Sequence, residues 1–467
     1  MGVRVGKAGS VASRVNSRMT TTATFRLLVP ALFVGICAPT VRAQDAFTLA
    51  EKFEPGHTSK IDVVVKLTGK LAVPSTGKGK APELVMLTGV SRLTYEERVL
   101  QPDDPGTLKA VRTYREVEFT RTLGDTTQDA GIRPSVRRMV IIKSENRRAP
   151  FSPDGPLTWG EIDVVRTDVF NPSVVPGLLP VGPVKKGQTW KASAAAVSEL
   201  TDMEKVEEGE ITVEFLGEII VEKKRVARLK IAGTIKGVNE DGPNRQKLEG
   251  TAYFDLEANM LTYLSLKGTH ELLDGTGQTA GRIEGQFTMT RSAVVKMPAD
   301  LSDAALDGLT VKTTAENTLL LYDDSRLGVR FLYPRGWRVG AVQGKQVTLD
   351  HARGSGILIT VEAPTKVPSA DDYLKEVGGF LTKQKAEVTA LDKPTRVRAD
   401  PVQLDRFGMD ATFGKDAVRL EYAILKQTDG GVTVAARIPA ADAAAIKTEV
   451  ERVMRSVSVT KKIEESK

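Results

Sequence analysis

The residues able to do chemistry are few and scattered. The chain has three histidines, His57, His270 and His351, and one cysteine, Cys37. No two histidines stand at a ligand spacing such as His-x-x-x-His, so a joint metal site lacks convergent donors. His270 beside Glu271 is the best pairing for acid–base work, and at the end of a strand it reads as a surface pair. Asp323-Asp324 offers two carboxylates, short of the six to eight oxygens that calcium takes. No Gly-x-Ser-x-Gly elbow exposes a serine, and Gly354-Ser355-Gly356 reads as a turn. Gly275-x-Gly277 and Gly354-x-Gly356 lack the strand–glycine–helix setting of a dinucleotide site. The lysines near Gly77 and Gly79 lack the spacing of a phosphate cradle. Aromatic residues are 5% of the chain, too few for a platform that stacks bases or sugars. The expectation is a protein without catalytic, cofactor-binding or metal residues, and not an enzyme.

Charge points the same way. The chain carries 66 Lys and Arg against 59 Asp and Glu. Arg4, Lys7, Arg14, Arg18, Arg26 and Arg42 fall in residues 1–43, which hold no acid, so the remainder has 60 bases against 59 acids. A near-neutral remainder gives no basic footprint for nucleic acid. The basic stretch is followed by an apolar run from Leu27 to Ala38 and then Val41-Arg42-Ala43. That order predicts a signal peptide over 1–43 with the exported product beginning at Gln44. The run is about a dozen residues, short of the ~20 of a spanning helix, so no membrane span is expected after cleavage. Ile36 is too bulky for a lipidated Cys37. Cleavage would remove that cysteine, and with it any disulfide or thiolate chemistry. The expected location is periplasmic or extracellular.

The remaining length suits two domains. From Ser59 onward Ile61, Val63, Val65 and Leu67 alternate with Asp62, Val64, Lys66 and Thr68, the period of a half-buried strand. Further strands are predicted over 84–99, 108–121 and 136–143, with a solvated loop from Pro74 to Pro82. Thr158 and Glu161 form a capping box, predicting a short helix from Trp159 that ends before Asn171-Pro172. Pro176–Gly187 is predicted to be a loop leading through Gly187-Gln-Thr-Trp190 into a strand, with Trp190 buried. From Glu210 to Val295 the alternation is continuous, with a tight turn at Glu257-Ala-Asn259. Such a succession is an antiparallel meander, and its length makes the sheet curve strongly or approach a barrel. Residues 44–295 thus form a β-rich domain and 296–318 a linker.

The second half opens with Leu327-Gly-Val-Arg-Phe-Leu-Tyr-Pro-Arg-Gly-Trp337. Val329, Phe331 and Tyr333 alternate, Pro334 ends the pairing, and Trp337 folds back as a core anchor. A capped helix follows from Ser369, strands near 396–404, 408–414 and 417–427, a glycine turn at Asp429-Gly430-Gly431, and a final helix from about Ala441 to Arg455. The segment Phe331-Leu-Tyr-Pro-Arg-Gly-Trp337, the helix at 369–386, the Arg419-Leu-Glu-Tyr-Ala-Ile strand and Glu449 to Ser458 together resemble the PsbP-like superfamily. That resemblance covers about a third of the chain. It implies an α/β/α sandwich on an antiparallel sheet over 319–460, followed by a charged tail at 461–467. Members are mostly accessory or binding proteins without a shared active site, so no residue role is carried over. The first half is similar to bacterial secreted β-rich proteins of unknown function, and to the half-barrel of outer-membrane lipoprotein carriers.

The expected fold class is therefore α+β: a long-stranded curved sheet or half-barrel, then a PsbP-like sandwich. The expected function is an exported, non-catalytic cell-envelope protein that binds a protein or an apolar ligand. One alternative is a lipid or lipoprotein carrier using the concave face of the first sheet. Another is a hydrolase whose site assembles from scattered side chains.

Overall fold

The computed structural model describes residues 46–73, 82–144, 147–239, 242–274, 276–399 and 402–465. The stretch expected to be a signal peptide (with Cys37), most of the Pro74–Pro82 loop, and Gly275 lie outside them. Strand β1 (Thr58–Val73) follows the alternation of the sequence. It lies antiparallel to β2 (Glu83–Val99), which precedes β3 (Thr107–Leu123), β4 (Thr126–Ala130), β5 (Arg138–Ser144), β6 (Arg147–Phe151) and the short β7 (Leu157–Thr158). Three short helices come next, α1 (Trp159–Arg166), α2 (Asn171–Leu178) and, after β8 (Thr189–Lys191), α3 (Ala194–Thr201). A meander follows: β9 (Lys205–Val221), β10 (Lys224–Asn239), β11 (Gly242–Asp255), β12 (Met260–Leu273) and β13 (Thr279–Ala293). These strands form a 12-stranded sheet in the order β6-β5-β3-β2-β1-β13-β12-β11-β10-β9-β8, with β4 on β3. Its edges are β6 and β8, so the sheet stays open.

The strands are long, and bending them needs places where backbones cross closely. Gly69 is one such place: a Cβ there would lie 2.2 Å from the carbonyl oxygen of Arg282. Gly233 is another, where a Cβ would lie 2.2 Å from the Glu210 carbonyl oxygen. Only glycine fits such an approach. The bent sheet wraps α1–α3. Ile162, Val165, Val174, Leu178 and Val197 share one buried cluster with Ile61, Val63, Leu93, Val213, Leu229 and Met289. Burial of each such side chain contributes about 1.5–3 kcal/mol. This explains α2, which occupies part of the segment expected as a loop. Pro172 sits in its first turn and Pro176 inside it, yet Val174, Val175 and Leu178 are fully buried. Tertiary burial outweighs the proline penalty. Trp190 is half-buried, its Nε1 donating to the Leu178 carbonyl oxygen at 3.0 Å.

After a short α4 (Asp303–Leu306) come β14 (Leu320–Asp324), β15 (Val329–Tyr333), β16 (Trp337–Gln343), β17 (Gln346–His351) and β18 (Gly356–Glu362). Then follow α5 (Ala370–Lys383), β19 (Glu387–Ala399), β20 (Val402–Phe413), β21 (Asp416–Gln427), β22 (Gly430–Pro439), α6 (Ala443–Ser456) and β23 (Ser458–Val459). A seven-stranded antiparallel sheet has the order β16-β17-β18-β22-β21-β20-β19. A third sheet, β23-β15-β14-β7, pairs the two halves of the chain: Leu320 and Leu321 of β14 lie parallel to Leu157 and Thr158 of β7. The segment 296–318 is anchored too, with Leu301 buried beside Val111, Val140 and Phe151. The described residues form one compact unit.

The α+β expectation, with its α/β/α sandwich, is corrected by these proportions. Strands account for 57% of the described residues and helices for 16%. The fold is predominantly β, a 12-stranded curved sheet with two smaller sheets. The helical signals at 159, 369 and 441 were each real, but they encode helices of 8, 14 and 14 residues. The strand content is higher than the pattern shows because β19 is an edge strand. Val388 and Leu391 on it are exposed and Val397 alone of its valines packs against the core, so it prints little alternation into the sequence.

Trp337 anchors the later sheet as expected. It is 0% exposed, and its Nε1 donates to Glu449 Oε2 of α6 at 2.7 Å. Trp337→Ala removes a fully buried indole and is expected to cost about 3–5 kcal/mol. A urea titration followed by circular dichroism measures it, and a midpoint equal to that of the parent protein contradicts this packing.

Candidate functional site

The site builds outward from the start of α1. Thr158 Oγ1 accepts from Glu161 N at 3.2 Å, and Glu161 Oε2 accepts from Thr158 N at 2.8 Å. Glu161 also accepts from Arg133 through its backbone N at 2.9 Å and its guanidinium at 2.8 Å. Burial opposes the Glu161 charge, but the Arg133 and Thr158 donors outweigh it and hold the carboxyl below its usual range. A helix start fixed this firmly sets the direction of the next two turns. Trp159, Asp163, Arg166 and Thr167 recur at helical spacing and meet the sheet along one line.

The facing wall is β1–β3. Val65, Leu67, Gly89 and Phe119 lie on the same face in register, between α1 and the sheet. The cleft between the walls is about 490 Å³, within the size of small-molecule sites. Ser91 on β2 and Thr167, which caps the C-terminus of α1, tie its inner end at 2.8 Å. Thr167 Oγ1 donates onward to the Val164 carbonyl oxygen at 2.7 Å, so Ser91 is the donor of the pair.

The rim is charged. Arg121 Nη2 of β3 lies 3.3 Å from Asp163 Oδ2. Arg166 Nη2 lies 2.7 Å from Asp202 Oδ2. Arg338, the residue after the Trp337 anchor, brings its guanidinium to 3.9 Å from the centre of the Trp159 ring. Its Nη1 donates to the Arg335 carbonyl oxygen at 2.7 Å. Burial lowers the pKa of Arg338 from its ordinary value, and the nearby charge of Arg166 adds to this against the pull of Asp163. The arrangement is an apolar floor of aliphatic side chains beneath a rim of guanidinium and carboxylate groups.

A buried ionic network lies behind the cleft. Arg112 of β3 is fully buried and pairs with Glu97 at 2.8 Å and Asp168 at 3.0 Å. Its Nη2 donates to the Val169 carbonyl oxygen at 2.9 Å, and its guanidinium lies 4.5 Å from the Tyr95 ring centre. Tyr95 Oη donates to Asp168. Burial pushes the Asp168 carboxyl up, against the pull of Arg112 and Tyr95. Nearby, Glu199 of α3 pairs with Lys143 and with Arg148, the latter at 3.1 Å. This network holds the α1–α2 turn against the sheet.

The residues singled out in the sequence fall elsewhere. His57 Nε2 lies 3.9 Å from Glu51 Oε1, and Glu51 is itself paired with buried Arg291 at 2.8 Å. His270 stands on β12 in register with Gln246 and Ile283. His351 ends β17 against Trp337, with ring centres 5.1 Å apart. The three imidazoles are not brought together, and no cluster of three or more metal-ligating side chains exists among the described residues. Asp324 Oδ1 accepts from the backbone of Arg326 and Leu327, and Asp323 pairs with Arg330, so this acidic pair serves a hairpin. Arg121, Asp163, Arg166, Asp202 and Arg338 escaped sequence reasoning. The 159-163-166-167 spacing after a capping box was the one signal available for any of them. Their convergence on β3 and β16 is a tertiary fact.

No family model matches the chain, and no curated protein matches it. Among solved structures it is similar to the solution structure of cyanobacterial PsbP (CyanoP) from Synechocystis sp. PCC 6803, with 18% identity over 30% of this chain and 92% of that one, at a TM-score of 0.26. A structure of lipovitellin overlaps 54% of this chain and 27% of its own, with 11% identity and a TM-score of 0.31. A protein of unknown function from Pseudomonas aeruginosa, PA94, overlaps 29% of this chain and 94% of its own, with 11% identity and a TM-score of 0.19.

Two outcomes follow from the charges described here. Arg112→Met strands Glu97 and Asp168 as buried, unpaired carboxylates, and the expected cost is about 3–5 kcal/mol. A thermal melt equal to that of the parent protein would contradict the network. Burial first, and Arg291 second, depress the His57 pKa in the folded state. The unfolded chain therefore binds the proton more readily, so this contribution is fully present above the unfolded value of about 6.5 and is lost as pH falls through the lower folded value. His57→Gln should flatten the decline in urea midpoint just below that unfolded value, and an unchanged slope counts against it.

Proposed function

We propose that this protein is a non-catalytic binding protein of the cell envelope and that its ligand is apolar. The observation that carries the reading is the cleft itself. Val65 and Leu67 of β1 and the Trp159 ring are only partly buried, and together they form the apolar side of an unfilled groove between sheet and helix. Such grooves with a few placed polar groups are the usual form of small-molecule sites. The envelope location rests on the basic and apolar order of residues 1–43. A carrier role is the natural extension, because the groove lies on the concave face of an open sheet and a ligand can enter from its mouth. The serine and acids beside the groove are engaged with neighbours, Ser91 with Thr167, Asp163 with Arg121 and Asp202 with Arg166, which favours binding over hydrolysis.

The test uses protein from Gln44 onward and the neutral probe N-phenyl-1-naphthylamine, whose fluorescence rises in apolar surroundings. Saturable binding is expected. Leu67→Asp places an unpaired charge on the groove wall and should weaken binding at least about tenfold, equivalent to ~1.4 kcal/mol, with the folded spectrum retained. Absence of binding by the parent protein, or equal binding by the variant, defeats the reading.

A further inference from the structure

We infer that the seven-stranded sheet carries a second site, for a zwitterionic α-amino acid with a large apolar side chain. Arg437 takes its carboxylate and Asp350 its ammonium. The site lies apart from the cleft between α1 and β1–β3, so neither reading depends on the other. Strand register builds it. Asp350 of β17, Gly356 of β18, Arg437 of β22 and Leu420 of β21 stand in one row across four strands. Thr348, Leu358, Ala435 and Tyr422 form the next row on the same face, two residues away along each strand. Helix α5 covers only part of this face. Its Val377 and Leu381 pack in one cluster with Leu420 and Tyr422, while Leu358 and Ala435 stay partly exposed. A cavity of about 570 Å³ remains between Phe380 of α5 and the two rows. Phe380 is 56% exposed, an aromatic ring left in water at the place where a bound apolar group would cover it.

The polar end of the cavity is a gap between two charges. A Cβ on Gly356 would meet nothing nearer than 3.8 Å, and Asp350 Oδ1 stands 3.9 Å from that point. Asp350 and Arg437 flank this space, about 10 Å apart at their backbones, which is two strand spacings. Among the described residues no ion pair or hydrogen bond engages either side chain. Arg338, the other register neighbour of Asp350, carries its guanidinium to the Trp159 ring. A carboxylate and a guanidinium on either side of a glycine match the two charges of an amino-acid head group. The guanidinium fork offers paired N–H donors to a carboxylate, and the Asp350 carboxylate accepts from an ammonium. A carboxylic acid without the amine would set its charge near Asp350 with nothing to offset the repulsion. An amine without the carboxylate would do the same beside Arg437. With the head group over Gly356, the ligand side chain lies over Leu358 and Ala435 and beneath Phe380.

The experiment is isothermal titration calorimetry of the protein from Gln44 onward with L-phenylalanine, 3-phenylpropionate, 2-phenylethylamine and glycine. L-Phenylalanine is expected to bind saturably, and each of the other three at least about fivefold more weakly, the scale of solvent-exposed charge pairs. In Asp350→Asn the ratio of the 3-phenylpropionate Kd to the L-phenylalanine Kd should fall toward one. In Arg437→Gln the corresponding ratio for 2-phenylethylamine should fall toward one. Both side chains are exposed, and thermal melts confirm that the variants fold. Failure of the parent protein to bind L-phenylalanine overturns the site. Equal binding of 3-phenylpropionate or of 2-phenylethylamine overturns the zwitterion assignment, and equal binding of glycine overturns the apolar pocket. Ratios unchanged in both folded variants place the binding elsewhere and overturn the assignment to Asp350 and Arg437.

Discussion

The fold of the first half depends on one buried cation. Arg112 sits at zero exposure inside a sheet, where an unpaired guanidinium would be prohibitive. Its charge is met by Glu97 from the next strand and by Asp168 from the turn after α1. Its remaining donors reach the Val169 carbonyl oxygen, and Tyr95 lies under its face. The partners come from two separate stretches of chain, Tyr95 and Glu97 on β2 and Asp168 and Val169 in the turn after α1. The network is therefore satisfied in one arrangement, with the α1–α2 turn pressed into the curve of the sheet. The aliphatic contacts beside it would tolerate small shifts, but a set of directional bonds to a buried charge would not.

That placement carries forward to the cleft. The position of Asp168 fixes the end of α1, and the Thr158–Glu161–Arg133 cap fixes its start. A helix of 8 residues held at both ends cannot slide, so Trp159, Asp163 and Arg166 stand at a constant distance from β1–β3. On the sheet wall Gly89 contributes no side chain, and Leu67 packs over it, 3.0 Å from where a Cβ would stand. The other face of the same strands is different in kind. Lys66, Thr68, Thr88 and Glu284 face solvent there in a basin of about 640 Å³. Alternation along each strand gives one sheet two chemistries, apolar toward the helices and polar toward water.

The two large sheets meet through small contacts of high specificity. Two residue pairs join β7 to β14. Arg335 donates to the Pro150 carbonyl oxygen, and Arg338 covers Trp159. Apolar residues on both sides then continue as a single buried cluster. Trp337 stands between these arginines, fixed by Glu449 from α6. An anchor of the later sheet thereby positions a rim residue of the earlier one.

Strand alternation from Ile61 to Leu67 and through 210–295, the capping box at Thr158, the turn at Asn259 and the burial of Trp337 were all decided locally. Each depends on side-chain period, on a hydrogen bond within four residues, or on a bulky apolar residue that must leave water, and so each is legible in the sequence. The balance of the fold was not. The strand content rests partly on β19, an edge strand whose partners lie on one side, and α2 forms through two prolines because its Val and Leu side chains are buried by distant strands. The site was less legible still. Arg121, Arg166 and Arg338 are separated by 45 and 172 residues, and in the sequence each looks like an ordinary surface base. Their convergence depends on sheet curvature, on the seating of α1 by Arg112, and on the pairing of β7 with β14. Those are long-range constraints, and only the tertiary structure could decide them.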